Sequence, residues 1–222
     1  MAAYKSKSVR RQMPARDQVT VLVHGIWMQG VVMKVMGRML EARGFRTHSV
    51  SYDFLKNSPE ENAQSLYDEI GLLGARRVNL VGHSLGGIVI LHLLHRFPDL
   101  PLDSVVLIGS PVRGSYVARR VHDTAVLRPL LGRSVEKGLL GGAPEFSSDR
   151  PLGIITGSGK LGITALLYPA GVTSDGVVRE SETLIESATD RISLPLSHST
   201  MIFSRKCSDY VANFLLNGRF RH

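Results

Sequence analysis

The sequence predicts an α/β fold: a mostly parallel central sheet flanked by helices. Three observations carry this. Short runs rich in Val, Ile and Leu alternate with stretches of helical periodicity along the chain. The run at 77–84 reads as a buried strand, which fits a sheet covered on both faces. The length, 222 residues, suits one α/β domain and leaves little for a second.

The elements follow in order. "QVTVLVHG" (18–25) is a strand entering a glycine turn. "GVVMKVMGRMLEARG" (30–44) has apolar residues at helical spacing and ends on Gly44, a C-cap signal. "FRTHSVSYDF" (45–54) is a second strand, and "SPEENAQSLYDEIGLLGA" (58–75) opens with a Ser-Pro-Glu helix start. "RVNLVGHS" (77–84) is a buried strand, followed by "LGGIVILHLLHRF" (85–97), a helix apolar nearly all round and hence buried. "LDSVVLIGSP" (102–111) and "PLGIITG" (151–157) are further strands, and "SRKCSDYVANFLLNG" (204–218) is a closing helix. Residues 1–17 form a basic tail, and about 112–150 form a helical insertion within the single domain 18–222.

Hydrophobic residues make up 43% and charged residues 21% of the chain, an ordinary globular balance. Apolar runs stop well short of a membrane span, and the N-terminus lacks the apolar stretch of a secretory signal. Cys207 is the single cysteine and has no internal partner, which fits a reducing cytoplasm. The net charge is +8. The tail holds five basic residues against one acidic, and the insertion seven against four. These are either solvated surfaces or attractors of an anionic surface. No zinc-ligand pairs or RNP-like aromatics accompany them, so no nucleic-acid partner is expected.

The stretch "LVGHSLGG" (80–87) holds the chemistry. Gly82-His83-Ser84-Leu85-Gly86 has the G-x-S-x-G pattern, set where a buried strand turns directly into a buried helix. Such a turn strains the serine, demands glycine on either side and aims the first free N–H groups of the helix at the turn. A tight turn with an incidental serine is the plainer reading, and the placement between strand and helix disfavours it.

A serine nucleophile needs a base, and the base needs an orienting acid. His92 and His95 lie along the helix after the turn and read as packing residues. His122 lies in the insertion, and His222 is terminal. His198, in "LPLSHSTM", sits in a loop before the closing helix and is the candidate base. Among acids, Asp149 precedes its strand and Asp190 opens the run leading to the histidine. Asp175, in "GVTSDGVV", lies in a small-residue loop and is the candidate acid, with an Asp-Gly turn as its compatible structural role. The backbone N–H groups of Leu85 and of Ile26, in "HGIW", are the candidate oxyanion donors.

Together "LVHGIW", "LVGHSLGG", "LIGSPVRGS", "TSDGVV" and "LSHSTM" resemble the α/β-hydrolase superfamily, specifically its small lipase- and esterase-like members. The likeness spans residues 19–217 in order and spacing. It implies an α/β-hydrolase fold without a large cap domain, with Ser84 as nucleophile, Asp175 as acid, His198 as base, and Ile26 and Leu85 at the oxyanion. The segment "GSPVRGS" carries Val112 where that family often has histidine. The expected activity is cleavage of carboxylic esters through an acyl-enzyme, without metal or cofactor. Trp27, Met28, Leu85 and Val112 would line an apolar site suited to an acyl ester or lipid. Rival readings are acyl transfer on the same residues and a non-catalytic membrane- or partner-binding protein on the same scaffold.

Two decoys remain. "GSGKLG" (157–162) matches G-x-G-x-x-G after a strand, but Pro169 follows quickly and too little chain remains for a dinucleotide fold. His83, next to the serine, reads as a packing residue. The insertion interleaves Arg119, Arg120, Arg128, Arg133 and Lys137 with Val and Leu. It is expected over the carboxyl end of the sheet, either as an anionic-membrane contact or as a plain pocket wall.

Overall fold

Six strands form one parallel sheet in the order β2-β1-β3-β4-β5-β6 in this computed structural model, which describes residues 17–159, 168 and 171–220. The strands are β1 (Gln18–Val23), β2 (Thr47–Val50), β3 (Arg77–His83), β4 (Leu102–Ile108), β5 (Leu152–Gly157) and β6 (Asp190–Leu194). The helices are α1 (Gly30–Glu41), α2 (Pro59–Leu72), α3 (Leu85–Arg96), α4 (Tyr116–Asp123) and α5 (Arg205–Asn217). The expected basic tail, apart from Asp17, lies outside the described residues, as does His222.

Side-chain alternation sorts the strands' residues between two cores. Val21, Val23, Leu80 and Leu107 pack against α2 and α3, with Leu66, Ile70, Val89 and Leu93. Leu22, Val81, Val106 and Ile108 pack against α1 and α5, with Met33, Met36, Val211 and Phe214. Both faces being covered explains why β1, β4 and β5 are buried at every position. In α3 the ten residues Leu85–Leu94 are all buried. Each large aliphatic among them contributes about 1.5–3 kcal/mol.

The start of α2 follows its sequence signal. The Ser58 hydroxyl accepts from the Glu61 N–H, the Glu61 carboxylate accepts from the Ser58 N–H, and Pro59 opens the helix. The carboxylate of Glu61 also pairs with Arg133 at 2.6 Å, tying the insertion to α2.

Three elements differ from the expectations. The second strand shrinks from ten residues to the four of β2, an edge strand. The run 190–194 is a strand, β6, on the other edge; its alternate outward residues include the charged Arg191, which masked it. The stretch 112–150 holds only the two-turn α4 and a 3₁₀ segment, Arg128–Val135, broken at Gly132 (φ 53°, ψ −142°). A Cβ at Gly132 would stand 2.4 Å from the Leu55 main chain, so close packing forces this break.

Candidate active site

The chain runs from β1 outward to β2 and returns to place β3 on the other side of β1. Loops leaving the carboxyl ends of β1 and β3 therefore diverge, and a crevice opens between them. Ile26 lies in the first loop and Ser84 in the second.

Ser84 has φ 54° and ψ −122°, a conformation L-residues rarely adopt. It is forced by the direct turn from β3 into α3. The Ser84 N–H still donates to Ile108 on β4 at 2.9 Å, while Leu85 already begins the helix. The flanking glycines are sterically required. A Cβ at Gly82 would lie 2.7 Å from the Gly87 backbone, and one at Gly86 would lie 2.3 Å from the Val23 carbonyl. Ser84 occupies the N-cap position, yet its hydroxyl caps no helix N–H. The group a helix normally consumes is left over for other work.

His198 and Asp175 are buried together. The imidazole Nδ1–H donates to Asp175 Oδ2 at 2.7 Å, and the His198 amide donates to the Asp175 carbonyl at 2.9 Å. The other carboxylate oxygen, Oδ1, accepts from the amides of Val177 and Val178 at 2.9 and 2.7 Å. Asp175 also opens a tight turn closed by the Ser174–Arg179 bridge, so the Asp-Gly turn and the partnership with histidine hold at once. With Nδ1 committed, Nε2 is the histidine nitrogen left to accept a proton.

Room for this pair comes from glycines at the strand ends. A Cβ at Gly109 would sit 3.1 Å from Asp175 Oδ2 and 3.2 Å from His198 Nδ1. At Gly157 it would meet the Leu196 carbonyl at 2.5 Å and the Asp175 Cβ at 2.6 Å, and at Gly159 the Leu196 carbonyl carbon at 2.7 Å. The glycines of the "GSG" decoy thus serve the packing of the Asp175 and His198 loops over β5.

Two further histidines brace the site. His83 lies fully within the core, and its Nε2–H donates to the His198 carbonyl at 3.1 Å, with the rings 4.7 Å apart. Burial, then the neighbouring His198, pushes its pKa down to about 3, so it stays neutral. His24 stacks on Tyr52 at 4.2 Å. Its Nδ1–H donates to the Gly25 carbonyl at 2.7 Å and its Nε2 accepts from the Tyr52 amide at 3.3 Å, while the Tyr52 hydroxyl donates to the His24 carbonyl at 2.7 Å. These bonds fix the backbone that carries Ile26. The sequence assigns His83 no specific partner and does not single out His24 or Tyr52. The adjacency of His24 to Gly25 was the available signal, and Tyr52 had none.

The Leu85 N–H is the first of α3, where helices leave amides without an intrahelical acceptor. Among the described residues, the Ile26 N–H donates to no backbone carbonyl. Ile26 packs with Leu85, Ala118 and Leu131. The other expected substrate contacts scatter. Trp27 is 57% exposed, with its indole N–H donating to the Leu130 carbonyl at 2.9 Å. Met28 is half-buried and packs against the core between the sheet and α1 and α5. Val112 is buried and lines a separate cavity of about 410 Å³ with Leu91, Phe146 and Leu184. Positive φ at Trp27 (57°) sends that side chain outward and the next one inward. His92 donates to the Lys137 carbonyl at 2.8 Å, in keeping with a packing role.

Fold and site together define a parallel α/β scaffold that carries a strained serine at a strand–helix junction. The model of the alpha/beta hydrolase family matches residues 20–195, and the chain belongs to that family. Over 119 residues it is 30% identical to a triacylglycerol lipase of Pseudomonas fragi. That match takes in 54% of this chain but spans only 38% of the lipase's length. A lipase of Bacillus licheniformis in its mature form superposes with a TM-score of 0.77 at 18% identity, over 92% of this chain and 94% of that one. A carboxylesterase of Bacillus subtilis does so with a TM-score of 0.62 at 15% identity, over 93% and 86%.

Proposed function

We propose that this chain is a serine hydrolase of carboxylic esters, acting through an acyl-enzyme on an apolar acyl substrate. The observation that carries the reading is the strained, uncapped Ser84 on a fold that also buries a His198–Asp175 pair at 2.7 Å. Ser84 Oγ attacks the ester carbonyl carbon and His198 Nε2 takes the hydroxyl proton. Asp175 holds the tautomer with its proton on Nδ1 and stabilises the imidazolium. The N–H groups of Ile26 and Leu85 receive the developing oxyanion. As the tetrahedral intermediate collapses, His198 returns the proton to the leaving alcohol. Water, deprotonated by the same nitrogen, then attacks the acyl-enzyme and releases the acid, restoring Ser84.

The choice of ester over amide draws on the lipase and carboxylesterase relatives, and the apolar surroundings of Ile26 and Leu85 agree with an acyl group. On this reading residues 18–222 form one hydrolase domain, with 112–150 inserted over the crevice. A fluorophosphonate probe tests it. Labelling of the wild-type chain, absent in Ser84→Ala, with loss of chromogenic ester hydrolysis in Ser84→Ala and His198→Ala by roughly a thousandfold or more, is the expected result. Ester hydrolysis surviving in Ser84→Ala would overturn the mechanism.

A further inference from the structure

Exposed large apolar residues gather beside the crevice. Trp27 is 57% exposed, and Leu55, Leu127 and Leu130 are between 41% and 50%, while Val126 reaches 86%. Specific contacts hold them in one region. The Trp27 indole donates to the Leu130 carbonyl at 2.9 Å, and the Arg133 amide donates to the Leu55 carbonyl at 3.0 Å. Trp27 also sits at φ 57°, which a bulky residue adopts only when its surroundings compel it. The fold accepts that strain and leaves the indole in water.

Charges of both signs surround this patch, among them Asp53 and Lys56, which flank Leu55 and pair at 3.8 Å. Arg133 is consumed, paired with Glu61 at 2.6 Å and Glu136 at 2.9 Å. Arg119, Arg120 and Arg128 are exposed, and among the described residues none of them meets a carboxylate. Among the described residues, Arg119 and Arg128 donate only to the main-chain carbonyls of Leu140 and His122. An acidic residue of the same stretch, Asp123, lies beside His122 at 3.7 Å. Uncompensated guanidinium groups beside exposed aliphatic and indole side chains complement one kind of surface: anionic outside and apolar just beneath. Tryptophan favours that boundary because its ring is apolar and its N–H polar.

We propose that Trp27, Leu55 and the 124–130 tip form a docking surface for an anionic lipid bilayer, with Arg119, Arg120 and Arg128 on the headgroup phosphates. The surface adjoins Ile26, so docking sets the crevice against the lipid. The proposal stands apart from the hydrolase reading, because binding is measured without turnover.

Trp27 is the single tryptophan among 222 residues, so its emission reports this surface alone. The probe is vesicles of diether phosphatidylcholine with and without diether phosphatidylglycerol, which contain no ester to cleave. With phosphatidylglycerol, Trp27 emission is expected to shift to the blue and the protein to sediment with the vesicles. Both effects should weaken steeply as salt is raised from about 0.1 M to about 1 M, where screening shortens from about 10 Å to about 3 Å. The triple variant Arg119→Gln, Arg120→Gln, Arg128→Gln should bind roughly a hundredfold more weakly. Its circular dichroism and thermal midpoint should match wild type, which separates lost docking from lost folding. Unshifted emission on anionic vesicles overturns the proposal. So does a triple variant that binds like wild type, since the basic stretch at 1–16 would then carry the attraction.

Discussion

Replacing Ser84 by glycine should make the protein more stable than replacing it by alanine, the reverse of the usual order. Alanine at position 84 keeps a Cβ at φ 54° and ψ −122°, so it retains the strain of the turn. Backbone strain of this kind costs about 1–3 kcal/mol, and glycine relieves it. Against this, glycine enlarges the freedom of the unfolded chain, which ordinarily makes it worse than alanine by about 0.4–1 kcal/mol. The difference leaves Ser84→Gly ahead of Ser84→Ala by up to about 2.6 kcal/mol, and by about 1.3 kcal/mol at the middle of both ranges. For a chain of this size each kcal/mol shifts the thermal midpoint by about 2–4 °C. Urea titration and differential scanning calorimetry on the two variants measure the effect. Comparing them with each other removes the shared loss of the hydroxyl. Neither variant should label with a fluorophosphonate. If Ser84→Gly proves less stable than Ser84→Ala by the ordinary margin, the turn stores no strain, and the sterically enforced elbow is the wrong account of why serine stands there.

The choice between carboxylates is open to a paired test. Asp175→Asn should lower kcat by about ten-thousandfold by favouring the wrong histidine tautomer. Asp190→Asn should leave turnover intact, because Asp190 lies at the far end of β6, where its Oδ2 accepts from the Phe220 amide at 2.8 Å; losses of the opposite order would reassign the acid. Acid should also weaken the fold through His83. Its folded pKa of about 3 lies below the unfolded 6.5, so its contribution is fully present above pH 6.5 and is lost as pH falls toward 3. His24, lowered by burial, acts in the same direction. Each group removes at most about 1.4 kcal/mol per pH unit in its window. Urea midpoints measured at pH 7.5 and 5 should fall accordingly, and equal midpoints would contradict the buried neutral state of His83.

Which parts of this site were legible depended on whether backbone geometry leaves a mark in residue type. Ser84 was legible because its turn excludes a Cβ at Gly82 and Gly86. The turn at Asp175 was legible in its Asp-Gly pair, a short-range device that also offers two backbone amides to one carboxylate oxygen. The glycines at 157 and 159 left an equally clear mark, but one that resembled a nucleotide loop, because the sequence did not say what approaches them. In the fold it is the loops of Asp175 and His198. The placement of the expected substrate contacts left no mark. That Trp27 points outward and Met28 inward depends on one positive φ at a tryptophan, where composition argues for the ordinary region. The insertion misled for a related reason. Its interleaved arginines and aliphatics suggest helices, but Gly132 is pressed against Leu55, a partner 77 positions away from it in the chain, and the helix breaks there. That contact also brings Leu55 and Leu130 to the same face as Trp27. The proposed docking surface is therefore assembled by long-range packing, and no window of sequence contains it.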